Sequence, residues 1–209
     1  MNGILFGNVH SFRDLHLVLS KVEIPPAKPK TIYVDLPGAD GSVDLTAAFG
    51  KVNFSNRECT FLFTVLPNYD FEQVKRIVSS TLNGLKTRIV VEKDPEYYWN
   101  GRCYVDEYKS DEGLNQIVVA AIVDPYKLKQ AIISEYGSGE AVQGTISITG
   151  LCPVTLEWKF TEDTTVIIGT ETKNFSSGTY RMYDVEPGDF SFTYSTSGSI
   201  TVSYQERAL

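Results

Sequence analysis

Residues 24–46 read Ile-Pro-Pro-Ala-Lys-Pro-Lys-Thr-Ile-Tyr-Val-Asp-Leu-Pro-Gly-Ala-Asp-Gly-Ser-Val-Asp-Leu-Thr, the most informative stretch of the chain. Its prolines fix φ and keep the first part extended. Ile32, Val34 and Leu36 then lie on one face of a predicted strand, Thr31 to Leu36, because successive strand side chains point to opposite faces. Two Gly-containing pairs, at 37–38 and 40–41, supply a turn. The stretch therefore predicts a stiff arm, a strand, a turn and a second extended segment.

The segment that follows predicts a strand from Glu58 to Leu66 and then a helix. Asp70 caps the helix in a capping-box relation with Gln73. Helical spacing places an apolar face on residues Phe71, Val74, Ile77, Val78 and Leu82. Asn83-Gly84 ends the helix, since Gly tolerates the left-handed conformation beyond a helix end.

Asn100-Gly101 is the strongest short hairpin signal in the chain, because both residues accept positive φ. It predicts a turn between a strand at Thr87 to Lys93, extended through Trp99, and a returning strand at Arg102 to Lys109. A further strand runs from Leu114 to Val123. We therefore expect a small antiparallel split barrel with one helix packed against it.

Ser134 to Gly144 has the composition of a linker, and the pattern beyond it is typical of short strands only. We expect strands at Thr145–Thr149, Val154–Phe160, Thr165–Gly169, Thr172–Phe175, Tyr180–Val185, Phe190–Ser195 and Ser199–Tyr204. Strands at this spacing favour a β-sandwich. The predicted class is mainly β, with a barrel-like domain at residues 1–130 and a small sandwich at residues 131–209.

The net charge of −7 is uneven along the 209 residues. Residues 130–209 carry ten acids and four basic residues, so residues 1–129 carry only −1. An acidic half repels phosphates, and no specific nucleic-acid binding is expected. No stretch reaches the roughly 18 apolar residues of a membrane span, and the start lacks a signal-peptide pattern, so we expect a protein made in the cytosol without membrane insertion.

Three cysteines, Cys59, Cys103 and Cys152, lack C-x-x-C spacing and are predicted to be buried reduced thiols. Two histidines, His10 and His16, stand near the start with no G-x-S-x-G elbow elsewhere to accompany them. We expect them to occupy ordinary strand or arm positions.

Asp35, Asp40 and Asp44 are spaced closely enough to suggest calcium, but a calcium loop starting at Asp40 would need Gly where Leu45 stands. Its twelfth position would be Lys51 rather than Glu. These aspartates are therefore interpreted as turn residues.

Paired acids and strand aromatics are the remaining candidates for chemistry. A glycosidase dyad needs two convergent carboxyls, whereas neighbours on a strand point apart; the pairs are Asp94/Glu96, Asp106/Glu107 and Glu162/Asp163. Aromatic residues could form a sugar platform, although core positions are favoured for them; they are Trp99, Trp158, Tyr180, Tyr183 and Tyr194. We expect no catalytic, cofactor-binding or metal-ligating residue, no cofactor, and no enzyme activity.

The order and spacing of several short stretches resemble the distal tail proteins of long, flexible-tailed bacteriophages (siphoviruses). The N-terminal stretches, within residues 3–127, are Pro29-Lys30-Thr31, Asp35-Leu36-Pro37-Gly38, Asp40-Gly41, Asp44-Leu45-Thr46, Asn56-Arg57, Thr60 to Phe63, Trp99-Asn100-Gly101-Arg102 and Asp124-Pro125-Tyr126-Lys127. The final stretch, Ser199 to Leu209, is similar to the C-termini of that family.

This resemblance implies a structural virion protein rather than an enzyme. It implies a homohexameric ring at the distal tail end, in which the N-terminal domain surrounds a channel and a C-terminal β-sandwich, often galectin-like, projects outward. The implied partners are other copies of the chain, the tail tube protein, the tail-tip (tail-associated) protein and the receptor-binding protein. Localisation would be the phage tail tip after synthesis in the host bacterial cytoplasm.

Two other functions remain open from sequence alone. One is a carbohydrate-binding module that recognises host-surface polysaccharide through the second domain, with Trp158 as the residue to test. The other is a cell-wall hydrolase. Because the outer domain is short, at about 75 residues, a sugar-binding role is a less direct reading than assembly.

Overall fold

The computed structural model describes residues 3–48, 50–111 and 113–209. One compact unit ends at Lys127, and a second spans Leu128–Ala208. Across these described ranges the chain forms strands and a single helix, which confirms the mainly-β prediction.

The first unit is built on seven antiparallel strands and carries a separate two-stranded hairpin. The strands are β1 (Ile4–Phe6), β2 (Val9–His10), β3 (Leu17–Glu23), β4 (Tyr33–Asp35), β5 (Ser42–Asp44), β6 (Arg57–Val65), β7 (Lys86–Val91), β8 (Tyr97–Asp111) and β9 (Leu114–Val123). The sheet order is β2-β1-β7-β8-β9-β6-β3. The hairpin pairs β4 with β5.

Side chains from both ends of this sheet meet in one core. Ile4 of β1 and Leu17 of β3 are fully buried in the same cluster as Phe61, Phe63 and Val119. A sheet must curl when β1, next to one end, and β3, at the other end, share a core. The backbone N–H of Leu17 donates to the carbonyl of Ser11 across the closing loop at 2.9 Å. The first unit is thus the predicted barrel-like domain.

Helix α1 spans Phe71–Leu82 and begins as the sequence predicts. The Asp70 side chain accepts a hydrogen bond from the Gln73 backbone N–H at 2.9 Å. Val74, Val78 and Leu82 are buried against the sheet. Ile77, predicted on the same face, is exposed instead, because the buried stripe is narrower than the spacing suggested.

The predicted Asn100-Gly101 turn is wrong. Both residues lie inside β8, with Asn100 opposite Arg88 and Gly101 opposite both Thr87 and Val123. The chain reverses earlier, between Val91 and Tyr97, where Asp94 N–H donates to the Val91 carbonyl at 2.8 Å. Gly101 serves close strand packing rather than a turn, as a Cβ there would lie 2.6 Å from Val123 Cγ1.

The second unit consists of two four-stranded sheets with one core. Its strands are β10 (Lys127–Tyr136), β11 (Gly139–Ile148), β12 (Val154–Phe160), β13 (Thr164–Ile168), β14 (Glu171–Phe175), β15 (Gly178–Val185), β16 (Gly188–Thr196) and β17 (Ile200–Ala208). One sheet has the order β15-β12-β17-β10 and the other β11-β16-β13-β14. Trp158, Phe192 and Tyr204 are buried in the shared core. This is the predicted β-sandwich.

The predicted linker from Ser134 to Gly144 is wrong. Those residues complete β10 and begin β11, with only Gly137 and Ser138 between the two strands. Tyr136 and Val142 pack against the core of the second unit. This packing with distant residues makes the segment a pair of strands, and the Gly and Ser content of the segment does not indicate it. The division between the units falls at Lys127, just after Asp124-Pro125, while residue 130 lies within β10.

Within the described residues, no helix is long and apolar enough to cross a membrane. The single helix, α1, has 12 residues.

Candidate assembly surface

An arm formed by residues 24–56 leaves the barrel between β3 and β6. Its two legs run side by side, because the Lys30 N–H donates to the Asn53 carbonyl at 2.8 Å and the Ser55 N–H donates to the Lys28 carbonyl at 2.9 Å. Pro29 and Phe54 form a β-bridge between the same legs. The arm ends in the hairpin of β4 and β5, and residues 28–45 are exposed.

The hairpin has one apolar face. Val34 stands directly opposite Val43, so alternation places Ile32, Leu36 and Leu45 on that side as well. These five side chains are between 38% and 50% exposed. An isolated two-stranded ribbon is marginal in water, and it leaves this apolar face without cover in the single chain.

The opposite face is acidic. Asp35 accepts a hydrogen bond from the Ser42 hydroxyl, and Asp44 accepts one from the Thr46 N–H at 2.8 Å. The hydrogen bond from the Thr46 side chain, and to a smaller extent that from the Thr46 backbone, lower the pKa of Asp44. Residues 31–46 carry three aspartates and no basic residue, so the hairpin has a charge of −3. The aspartates examined as calcium ligands are therefore turn and strand residues of this ribbon.

Arg57 anchors the base of the arm. Its side chain is buried, and Nη1 donates to the Pro25 carbonyl at 3.4 Å. Its Nε and Nη2 have no hydrogen-bond partner among the described residues. Phe54 meets Tyr126 edge to face, with ring centroids 6.0 Å apart. The arm is thus fixed where it leaves the barrel and exposed beyond that point.

A groove of about 950 Å³ opens on the same unit, along the edge formed by β1, β2 and β7. Half-buried apolar side chains line it, among them Leu5, Val9, Leu85 and Val90. Lys86, Arg88 and Asp124 provide its charges. The Arg88 guanidinium lies over the Tyr98 ring, 4.7 Å from the centroid. No sequence pattern predicted this groove, because its residues come from separate strands.

The two histidines hold structural positions. His10 is buried, and its Nε2–H donates to Glu92 at 2.8 Å while Nδ1 accepts from the backbone N–H of Phe12 at 3.0 Å. His16 has φ 58° and stacks on Tyr69, with centroids 3.8 Å apart. Neither arrangement presents a nucleophile or base to a cleft.

The thiols and paired acids also have structural surroundings. Burial raises the pKa of Cys59 to about 11 and that of Cys103 to about 12, so both stay protonated at neutral pH. Cys152 is half-buried. Asp94 pairs with Lys127 at 2.6 Å. No group of acids, histidines and cysteines in the described ranges is arranged to hold a metal.

The aromatic residues of the second unit divide between core and surface. Trp158 is 4% exposed and packs edge to face on Phe192, with centroids 4.7 Å apart, so it is a core residue. Tyr183 is 66% exposed. It lines a groove of about 360 Å³ on the outer face of the β15-β12-β17-β10 sheet, together with Glu157, Arg181 and Arg207.

The groove beside Tyr183 is polar and locally distorted. Arg181 Nε donates to Glu157 at 3.0 Å. The Glu157 carboxylate raises the pKa of Arg181, and Tyr183 raises it further by a smaller amount. Tyr183 and Asp184 together oppose the single residue Thr155, and Asp184 has φ 59°. Such bulges are common beside binding sites.

Comparisons with solved structures include a likeness that covers the whole chain. No protein-family model and no curated protein matches the chain. The crystal structure of SPP1 Dit, described as a paradigm of the hub adsorption apparatus in phages that infect Gram-positive bacteria, superposes with a TM-score of 0.70. The match covers 100% of both chains at 12% sequence identity. A de novo designed double-stranded β-helix covers 38% of this chain with a TM-score of 0.26, too low to indicate a shared fold. The full-length likeness establishes that this chain has the fold of SPP1 Dit.

Proposed function

We propose that this protein is a structural component of a bacteriophage tail, forming the hub at the distal end of a long flexible tail. The observation that carries the proposal is the full-length likeness to SPP1 Dit, which spans both units of the chain. The protein acts by assembling and docking, not as an enzyme.

In this proposal the hub is a closed ring of six identical chains, the number that the resemblance to distal tail proteins implies. Support comes from the arm, whose apolar face is uncovered in one chain and needs a partner surface. Closed rings form when each copy presents one surface to the next and the rotation closes. The arm gives each copy a projecting surface of that kind.

Two regions divide the work in this proposal. The first, residues 1–127, forms the ring, and the second, the β-sandwich, lies outside it. The second region carries most of the charge of −7, and like charges of six copies repel when packed around a channel. The ring joins the tail tube protein to the tail-tip protein and the receptor-binding protein, and its place is the virion tail tip after synthesis in the host cytoplasm.

The ring is tested by native mass spectrometry and negative-stain electron microscopy of the full chain. We expect a closed oligomer at micromolar concentration. The variant Val34→Ser/Val43→Ser should dissociate, because it removes apolar area from the hairpin face. The matched control, Ile133→Ser/Ile167→Ser, changes two exposed apolar residues of the second unit and should leave the mass unchanged. A monomeric wild-type chain with no ring under the microscope contradicts the proposal.

Carbohydrate binding is the second candidate function, and the groove beside Tyr183 favours it. An exposed tyrosine ring next to paired charged groups offers both stacking and directed hydrogen bonds to a polyol. Trp158 is excluded as the platform by its burial. Binding to purified host-wall polysaccharide, measured by calorimetry, should be lost in Tyr183→Ala and kept in Tyr33→Ala, another exposed tyrosine. Equal binding by both variants removes this candidate.

A further inference from the structure

We propose that the groove along β1, β2 and β7 receives the β4–β5 hairpin of a neighbouring copy of this chain. The inference rests on the proposed ring and names the surface that closes it. The occupant is a second copy of the chain, and the occupied surface is the groove of about 950 Å³.

The two surfaces match in polarity. The hairpin offers an apolar face made of Ile32, Val34, Leu36, Val43 and Leu45. The groove offers half-buried apolar side chains, and the apolar face of the hairpin remains exposed in its own chain, so it does not fill its own groove. Burying apolar area at about 25 cal/mol per Å² favours joining these two surfaces.

The two surfaces also match in charge. The hairpin carries −3. Two cations and one anion line the groove, namely Lys86, Arg88 and Asp124, so its charge is +1. Asp35 and Asp44 lie on the hairpin face opposite the apolar one, so they attract the groove through the net charge of the hairpin and speed encounter rather than pair with groove residues.

The register of the sheet places the arm and the groove at the same end of the barrel. Arg57 at the base of the arm stands opposite Val123, Val123 opposite Gly101, and Gly101 opposite Thr87, which lines the groove. Neighbouring strands are spaced by about 4.8 Å, so three strand spacings carry this row about 14 Å around the barrel. The arm therefore leaves one side of the barrel and the groove opens on another side, and both lie at the same end of the barrel.

This placement suits a ring. Residues 24–36 of one leg, if fully extended, reach about 40 Å at roughly 3.3 Å per residue. A projecting segment on one flank and a receiving groove on another make a head-to-tail contact, which repeats from copy to copy until it closes.

Charge reversal tests the contact in both directions. The groove variant is Lys86→Glu/Arg88→Glu, and the hairpin variant is Asp35→Lys/Asp40→Lys. Each alone should raise the concentration needed for ring assembly by about tenfold or more, because the net charges of hairpin and groove then have the same sign. An equimolar mixture should restore rings, because alternating copies bring reversed hairpins to reversed grooves. The control Lys21→Glu/Lys109→Glu makes the same charge change at exposed lysines outside the groove and should assemble as wild type.

A disulfide test covers the case in which a reversed variant folds poorly. In a Cys152→Ser background, chains with Val34→Cys are mixed with chains with Val9→Cys and oxidised. A linked pair on a non-reducing gel, absent when either chain is oxidised alone, supports docking between copies.

The outcomes separate the two proposals. A monomeric wild-type chain refutes the ring itself. Wild-type rings together with unaltered assembly of the groove variant and no linked pair overturn the docking inference while the ring stands, and they assign the groove to a different partner.

Discussion

A single missing Cβ sets how closely β8 and β9 approach each other. A Cβ on Gly101 would lie 2.6 Å from Val123 Cγ1 and 2.7 Å from the Ile122 carbonyl oxygen. The second contact is with backbone, which cannot move aside as a flexible side chain can. Gly101 is thus required by packing, although its φ is ordinary.

Gly101→Ala should lower the free energy of unfolding by about 1 to 3 kcal/mol, the usual cost of overpacking, and Gly101→Val by more. Urea denaturation followed by circular dichroism measures it. Gly137→Ala is the matched control, since nothing lies within 4 Å of a Cβ there and it should be neutral. Equal stability of the two alanine variants would show that β8 and β9 can separate at no cost.

Glu92 ties the start of the chain to the barrel. It accepts from His10 Nε2 at 2.8 Å and from the Gly3 N–H at 2.6 Å. The hydrogen bond from His10 has the larger effect and that from Gly3 the smaller one, and together they hold the pKa of Glu92 below its ordinary 4.5. A carboxylate whose folded pKa is depressed stabilises the fold fully above the unfolded pKa, and the contribution is lost as pH falls through the folded value.

Glu92→Gln should therefore be less stable than wild type at about pH 6, and the difference should shrink by about pH 3. Urea titrations of both proteins at the two pH values give this difference. Glu186→Gln, at an exposed glutamate, is expected to show no such trend. A gap that stays constant with pH would mean that the Glu92 carboxylate is not the titrating group.

Among the elements, the helix and the second-unit strands β12 to β17 have strong local signals and are predicted correctly, whereas Asn100-Gly101, the strongest hairpin signal, lies inside a strand. The helix has a cap, an apolar stripe and a terminal Gly84 with φ 82°, and its predicted limits agree with α1. The second-unit strands β12 to β17 are bounded by turn residues and were all predicted. The local sequence is sufficient to predict an element when its turn and cap residues act on neighbouring residues of the chain.

The elements that the sequence did not predict depend on distant partners. Strands β1 and β2 have only three and two residues; pairing with β7 defines β1, and pairing with β1 defines β2. The end of β10 and the start of β11 replace the predicted linker because Tyr136 reaches Phe192 in the core, with ring centroids 5.3 Å apart. For the candidate site, the hairpin could be read from alternation within a few residues. Its apolar exposure and the groove could not, since both depend on what the rest of the fold leaves uncovered.

The cap of α1 can be tested at the level of the element. Asp70→Ala should destabilise the first unit by about 1 kcal/mol, because the Gln73 N–H loses its acceptor. Asp70→Ser keeps an acceptor oxygen at the same position and should recover most of that loss. Thermal melting of the three proteins gives the order, and an alanine variant equal to wild type would show that the capping bond contributes nothing.

For the whole molecule, the proposal assigns assembly to the first of the two units, which ends at Lys127. The arm, the groove and the barrel core all belong to residues 3–127. The sandwich has a core of its own, which includes Trp158 and Tyr204.

A fragment ending at Lys127 should fold and form the ring without the sandwich, and a fragment of residues 128–208 should be a folded monomer. Analytical ultracentrifugation and circular dichroism of both fragments check this. A first fragment that is folded but monomeric, beside an oligomeric full chain, would move assembly to the second unit.

The exposed hairpin also affects the solubility of the single chain. An exposed ribbon with apolar Val34 and Val43 side by side is a template on which other extended segments can stack and precipitate. Its aspartates act as gatekeepers, since like-charged ribbons repel and cannot stack in register. Solubility of the free chain should then depend on salt, because screening weakens that repulsion. The same three carboxylates that attract the hairpin to the groove in the proposed ring therefore also protect the free chain from aggregation.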